Sequence, residues 1–216
     1  LQAAAVMTCR VVDGAGTNTL LLAGESDAAH DIYAVPLAGL SVSGARNGDL
    51  VQVGYSGSIL ETFPAQLGDV SGLTVQQDGF DDRCVLYLQV LEDLWNNDTE
   101  LNADIAQIGV DLSQTSLTGS EQSAVAWAFG QRHGLEGIQG TSAELQAQGY
   151  FTGIEGWTDG CLFSIAEQSR AQTGTVTFDA EKWRSGDGAY FFRNCTAQQS
   201  QDGHWSGYEV GTYAIA

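Results

Sequence analysis

Two β-rich runs decide the C-terminal fold, Ala189-Tyr-Phe-Phe-Arg-Asn-Cys-Thr-Ala197 and Trp205-Ser-Gly-Tyr-Glu-Val-Gly-Thr-Tyr-Ala-Ile215. Aromatic and β-branched residues, which favour strands, crowd both runs. Between them lies Ser200-Gln-Asp-Gly203, and its Asp-Gly pair is typical of a hairpin turn. The sequence therefore predicts a long β-hairpin with a broad face that helices can cover.

The residues before this hairpin predict helices and further strands. A first helix follows Asp81 or Asp82 as its cap, because apolar residues recur at helical spacing after them: Cys84, Leu88, Leu91 and Trp95. Two capping boxes, Thr118-Gly-Ser-Glu121 and Thr141-Ser-Ala-Glu144, open two more helices. Strands are predicted at Ile105–Leu112, Cys161–Ile165 and Thr175–Phe178. Helices packed on an antiparallel sheet make residues 79–216 an α+β domain.

Residues 1–78 have a different pattern, because short strand-like runs alternate with turns. The runs are Val6–Val12, Thr19–Ala23, Ile32–Pro36, Asp49–Tyr55 and Ile59–Phe63, with a weaker one at Val70–Val75. A small closed β-barrel is the expected arrangement, because closure removes exposed strand edges. The spacing of apolar residues changes from two to three or four near Asp78-Gly79, so we place a domain boundary within Gln76–Asp82.

Charge excludes several classes of partner. The 216 residues include 8 Lys and Arg against 27 Asp and Glu, a formal charge of −19. A surface this acidic repels phosphate backbones and anionic membrane leaflets, so we expect no nucleic-acid binding. A helix that spans a membrane needs about 18 or more consecutive apolar residues, and the sequence contains no such run. We expect a monomer that does not insert into a membrane.

Motifs that would fix a chemistry are missing from the sequence. There is no Gly-x-Ser-x-Gly nucleophile, no phosphate-binding loop and no dinucleotide fingerprint. Asn97–Asp104 has alternating oxygen ligands like a calcium loop, but the sixth and twelfth positions counted from Asp98 hold Ala103 and Gly109. Asp27, His30 and Asp31 are interpreted as a solvated connector and not as a metal site. We therefore predict no catalytic residue, no metal and no cofactor.

The four cysteines are widely separated. Cys9, Cys84, Cys161 and Cys195 form no Cys-x-x-Cys pair and no local cluster with histidine. We predict buried, free thiols that pack as small apolar groups, and Cys161–Cys195 is the one disulfide pair considered.

The segment Lys182-Trp183-Arg184 places two of the few basic residues beside a large aromatic ring. In a structural interpretation, Trp183 packs under the hairpin and Arg184 holds the Ser185–Gly188 turn. In a functional interpretation, aromatic rings form a ligand platform with Arg184 beside it, and the rings are Trp183, Tyr190, Trp205 and Tyr208. Its surface members, Tyr190 and Tyr208, are the first candidates for contact with a ligand.

Several segments resemble parts of known families. Ile108–Ser113, Glu144–Gly149, Lys182–Ala189 and Asp202–Trp205 resemble a C-terminal domain of uncharacterised exported proteins and lipoproteins of anaerobic Gram-positive bacteria. Gly48-Asp-Leu-Val-Gln-Val53 and Ile59–Ala65 are similar to an oligonucleotide/oligosaccharide-binding-like (OB-like) barrel of such lipoproteins. The resemblance implies an extracytoplasmic protein of the cell envelope, but no catalytic residue. The lipid-bearing cysteine of a lipoprotein is absent from Leu1–Met7, so lipid anchoring is implied only by the resemblance.

Three functions are compatible with these observations. The favoured hypothesis is a non-catalytic binding or interaction module that recognises a protein, peptide or carbohydrate. The alternatives are a hydrolase with a site between the C-terminal helices and the sheet, and a structural spacer. For a binding module we expect exposed carboxylates, with the caps Glu121 and Glu144 or an ion pair with Arg184 as the exceptions.

Overall fold

The computed structural model describes residues 5–25, 31–40, 44–152, 155–169 and 174–216. Asp27 and His30, two members of the metal set weighed above, lie outside these ranges. The chain divides into two compact units. Unit 1 comprises Leu1–Val85, Thr118–Ala124 and Gln201–His204, and unit 2 comprises Leu86–Leu117, Val125–Ser200 and Trp205–Ala216. The mixed α+β class predicted from the sequence is confirmed.

Unit 1 is built on an antiparallel sheet. Its strands are β1 (Ala5–Asp13), β2 (Thr19–Gly24), β3 (Ile32–Pro36), β4 (Leu50–Tyr55), β5 (Ile59–Leu60), β6 (Gln66–Leu67) and β7 (Gly72–Val75). Five of them pair in the order β3-β2-β1-β4-β7, and β5 pairs with β6. Alternating residues point to one side and form the core: Cys9, Val11, Leu20, Leu22, Tyr33, Val35, Val51, Val53 and Leu73.

The closed OB-like barrel is not confirmed, because the sheet of described strands is open between β3 and β7. The β5–β6 hairpin reaches β3 through an isolated bridge between Tyr33 and Ala65. Strand count alone does not decide closure, since closure also needs strands long enough to pair around the whole circumference. Here β5 and β6 contain two residues each.

The second half of the chain carries three α-helices, a 3₁₀ turn at Thr99–Asn102 and seven strands among its described residues. The helices are α1 (Arg83–Asn96), α2 (Gly119–Arg132) and α3 (Ser142–Ala147). The strands are β8 (Gln107–Gln114), β9 (Glu136–Gln139), β10 (Gly160–Ser169), β11 (Thr175–Ser185), β12 (Gly188–Gln199), β13 (Trp205–Glu209) and β14 (Thr212–Ile215). They form a sheet in the order β13-β12-β11-β10-β8-β9, with β14 also paired to β12.

The prediction of a purely antiparallel sheet is wrong, because β8 pairs parallel with both β9 and β10. The chain passes from β8 through α2 to β9, and a helical crossover returns the next strand in the same direction. The β10–β11–β12–β13 part is antiparallel, as expected. The predicted final run Trp205–Ile215 is divided into β13 and β14, which pair with different parts of β12.

One face of the unit 2 sheet, here called the helix face, packs against α1 and α2. Its contacts are aromatic: the rings of Tyr87 and Phe178 lie 5.7 Å apart edge to face, and those of Phe129 and Phe163 lie 5.0 Å apart. Trp95 stacks on Phe163 at 6.1 Å. The opposite face, here called the second face, carries a smaller cluster of Leu145, Phe151, Trp157 and Leu162.

The four cysteines are all buried and free, as predicted. Burial raises the pKa of the Cys161 thiol to about 12, so the thiol is protonated at neutral pH and packs as an apolar group. None of the helices within the described ranges has the length and apolar character needed to cross a bilayer.

Candidate functional site

Trp183 and Arg184 stabilise the interior of unit 2. The ring of Trp183 lies 5.2 Å from that of Phe151, in the apolar cluster on the second face. The Arg184 guanidinium donates hydrogen bonds to the carbonyls of Ala103 at 2.8 Å and Thr158 at 2.7 Å. Arg184 therefore holds two loops through their carbonyls. Among the described residues it forms neither the predicted ion pair nor a side-chain hydrogen bond to the Ser185–Gly188 turn.

Lys182 is completely buried, although lysine is almost never found so. Its ammonium donates to the carbonyls of Asn97 and Asp98, the latter at 2.9 Å, and to Oδ1 of Asn102 at 2.7 Å. Burial lowers the pKa of Lys182 to about 8. In the segment Asn97–Asp104, which resembles a calcium loop, these oxygens therefore accept hydrogen bonds from the Lys182 ammonium. The described residues contain no group of three or more metal-ligating side chains.

Trp205 is buried, and Tyr208 is half-buried with its hydroxyl inside. Trp205 is 7% exposed, and the Tyr208 ring stacks on buried Phe178 at 6.0 Å. The Tyr208 hydroxyl is buried without a hydrogen-bond partner among the described residues, and burial raises its pKa strongly. Trp205 is therefore not placed to meet a large ligand, and the hydroxyl of Tyr208 is not available to one.

The four predicted rings do not share one surface. In a strand successive side chains point to opposite faces, and Tyr190 lies opposite Lys182 on the helix face, whereas Trp183, the next residue of β11, points to the second face. Tyr190 is half-buried.

Sequence reasoning missed the exposed partners of Tyr190. Tyr213 and Ile215 on β14 are 61% and 73% exposed, and they pair with Phe192 and Tyr190 on β12. The Tyr213 ring lies 5.4 Å from that of Phe192 and 6.5 Å from that of Tyr190. Tyr190, Tyr213 and Ile215 are here called the edge strip. The signal was present in the alternation of Tyr213, Ala214 and Ile215, but the sequence does not say on which side of β12 the run pairs.

A second exposed apolar group lies in unit 1. Ile59, Leu60 and Phe63 at the β5–β6 hairpin are 43%, 56% and 63% exposed. Unit 1 also has an open groove of about 390 Å³ lined by Val6, Met7, Thr8, Gly24, Glu25 and Tyr33. Neither place contains a residue predicted for a site.

The buried carboxylates are not the ones expected. Asp49 and Asp82 are 2% and 7% exposed, whereas the cap Glu144 is exposed. Asp49 accepts from the backbone nitrogen of Arg46 at 2.7 Å and from its guanidinium at 3.1 Å. The Asp49 carboxylate is therefore engaged with a neighbouring residue of its own turn.

Asp82 lies 2.5 Å from Nδ1 of His204 within unit 1. A carboxylate–imidazole pair is part of many hydrolytic sites, but it also anchors loops. Gly203 lies against Phe80, since a Cβ at this position would come within 1.8 Å of the Phe80 carbonyl oxygen. We interpret the pair as the anchor of the 201–204 turn on this segment.

No protein-family model matches the chain, and no curated protein and no solved structure matches it either. The edge strip, with its geometry on β12 and β14, is therefore the basis for a functional assignment.

Proposed function

We propose that the protein is a non-catalytic binding module that recognises a protein, peptide or carbohydrate through the edge strip. We further propose that it acts outside the cytoplasm at the cell envelope, a location supported by the resemblance of Lys182–Ala189 and Asp202–Trp205 to exported proteins.

One observation carries the binding proposal: Tyr213 and Ile215 are mostly exposed beside Tyr190 on a single side of the sheet. Large apolar side chains that are adjacent and exposed mark interaction sites more often than singly scattered ones do. Tyrosine combines a broad ring face with a polar hydroxyl, so it contributes contact area to proteins and to sugars at a low entropic cost. No perturbed acid or base is required for this kind of recognition.

The hydrolase alternative receives less support. It requires a cleft between the C-terminal helices and the sheet, with a group whose pKa lies near neutrality. In unit 2 the rings of Trp95, Phe129 and Phe163 pack together in this space. Glu181 has a pKa raised by burial, and Asp179 and Asp111 raise it further, but Arg193 lies 3.8 Å away and opposes the shift.

Calorimetric titration of three probes tests the proposal: an alternating Lys-Val octapeptide, its Glu-Val counterpart and a hexasaccharide such as cellohexaose. We expect at least one probe to bind, and Tyr213→Ala to weaken it about tenfold or more, as loss of an interface tyrosine commonly does. Phe63→Ala is the matched control, because its ring is 63% exposed in unit 1. Binding that is weakened by Phe63→Ala but not by Tyr213→Ala, or no binding of any probe, would contradict the proposal.

A further inference from the structure

We propose that the partner is a basic, extended polypeptide segment that adds one strand to the open edge of β14. This inference rests on the proposed function and specifies its ligand: main-chain hydrogen bonds hold the segment, and alternate apolar side chains lie on the edge strip.

The hydrogen-bond pattern of β14 leaves its outer edge available. Ala189 and Ala216 exchange both backbone hydrogen bonds, at 3.2 and 3.0 Å, which identifies them as a hydrogen-bonded pair. Such pairs alternate along an antiparallel ladder, so Ala214 and Thr212 also bond to β12, whereas Tyr213 and Ile215 do not. The N–H and C=O groups of Tyr213 and Ile215 therefore point away from β12. Within the described ranges, no strand pairs with this side of β14.

Apart from its shortness, β14 lacks the usual protection against strand addition. Natural edge strands carry Lys, Pro or a bulge that discourages pairing. β14 reads Thr-Tyr-Ala-Ile, its four residues are all exposed, and its register with β12 is regular. Tyr213 and Ile215 carry both the outward main-chain groups and the two most exposed side chains of the edge strip. One extended segment can therefore form hydrogen bonds with the former and pack on the latter.

The charge of unit 2 favours a basic segment. Unit 2 contains 15 acidic and 5 basic residues. The four basic residues that the structure describes are engaged: Lys182 and Arg184 with loop oxygens, Arg132 with Glu92, and Arg193 with Asp179. Asp98 lies near the edge strip, since its negative charge, after burial and Tyr213, raises the pKa of Tyr190. A second copy of this chain would bring another strongly acidic surface, which disfavours self-pairing.

The alternation of a strand also fits the surface. In an added strand, every second side chain points to the helix face, where Tyr213 and Ile215 are exposed. Apolar residues at these positions pack on the edge strip, and the intervening basic residues point to the second face.

The test uses a fluorescein-labelled Lys-Val octapeptide and measures its Kd by anisotropy. Ile215→Ala removes the side chain and keeps the outward N–H, whereas Ile215→Pro removes both. Strand addition predicts that Ile215→Pro binds about fivefold to tenfold more weakly than Ile215→Ala, the effect of losing one hydrogen bond. Urea unfolding checks that both variants keep the wild-type fold.

A second measurement needs no protein variant. The same peptide with N-methyl groups on alternate residues cannot donate along one edge, and we expect its Kd for the wild-type protein to rise about tenfold or more. The Glu-Val octapeptide should bind more weakly than the Lys-Val octapeptide, with the difference reduced at high salt.

The outcomes separate this inference from the proposed function. Equal Kd values for Ile215→Pro and Ile215→Ala, with unimpaired binding of the N-methylated peptide, would overturn strand addition even if Tyr213→Ala still weakens binding. In that case the edge strip binds by side chains alone. Loss of the Tyr213→Ala effect would overturn the proposed function itself. Concentration-dependent dimerisation abolished by Ile215→Pro would identify a second copy as the occupant and would contradict the basic partner.

Discussion

Lys182 is the residue whose role differs most from its sequence appearance. In a chain of charge −19 a lysine has many acids to pair with, but the three ammonium donors of Lys182 bond to oxygens of Asn97, Asp98 and Asn102. Lys182→Met should lower the free energy of unfolding by about 2–4 kcal/mol, because these oxygens lose their donor. Urea denaturation at pH 7 measures the effect. Gln146→Met, at an exposed position of α3, is the control and should change the free energy of unfolding by less than about 0.5 kcal/mol.

Lys182 also makes the stability depend on alkaline pH. Its pKa is lowered to about 8 in the folded protein from 10.5, so between these values the unfolded chain binds more protons. Stability relative to Lys182→Met should therefore rise as pH increases from 8 to 10.5. Urea unfolding of both proteins at pH 7.5, 9 and 10.5 checks this expectation. A difference that shrinks over the same range would show that the pKa is raised and not lowered.

His133 is a second titratable group of unit 2, and it is half-buried. Nothing in the sequence indicates what surrounds it. Its ring stacks on Trp95 at 3.8 Å, and Nε2 lies 3.1 Å from a Glu92 oxygen. Burial lowers the pKa of His133, the Arg132 charge lowers it further and Glu92 opposes the shift. Because the unfolded chain takes up the proton first, stability is lost as pH falls through about 6.5.

The variant His133→Gln, which does not titrate, tests this pH dependence. Wild type should lose more stability than the variant between pH 8 and pH 5, measured by urea unfolding. If both proteins show the same slope, His133 does not titrate with a lowered pKa.

At the scale of elements, the sequence motifs at the helix starts correctly predicted where α2 and α3 begin, because local hydrogen bonds determine a helix end. Both capping boxes form: Thr118 accepts from the Glu121 nitrogen at 3.2 Å, and Thr141 accepts from that of Glu144 at 3.2 Å. Thr118→Ala and Thr141→Ala should each lower the free energy of unfolding by about 0.5–2 kcal/mol. Gln146→Ala, at an exposed position of α3, should change it by less than about 0.5 kcal/mol. Thermal and urea unfolding measure these changes. A Thr118→Ala or Thr141→Ala protein with unchanged stability would show that other contacts hold that helix end.

Pairing between distant strands could not be predicted from the same signals. The run Ile105–Leu112 indicated a strand, but its parallel partners β9 and β10 depend on the crossover through α2. The run Trp205–Ile215 indicated a strand as well, but its division at Val210-Gly211 decides that Tyr213 and Ile215 lie beside Tyr190. The candidate site is therefore set by tertiary pairing, whereas Tyr190 alone could be selected from its sequence.

At the scale of the whole molecule, unit 1 is assembled from separate parts of the chain. Arg10 forms ion pairs with Glu25 at 3.3 Å and with Glu121 at 3.5 Å, and the 201–204 turn belongs to the same unit. A fragment of residues 1–78 lacks Glu121 and this turn, so we expect it to unfold without the cooperative transition of the full chain. Circular dichroism in urea compares the two. A cooperative fragment with nearly full stability would support residues 1–78 as an independent domain.

Amide hydrogen exchange followed by NMR tests the open, ligand-binding edge of β14 most directly. In the free protein, the amides of Thr212 and Ala214 should exchange slowly because they bond to β12, and those of Tyr213 and Ile215 should exchange fast. Addition of the Lys-Val octapeptide should slow exchange at Tyr213 and Ile215 and leave the Ile59–Leu60 amides unchanged. Protection of Tyr213 and Ile215 before the peptide is added, or protection that appears only elsewhere, would contradict the edge strip as the binding surface.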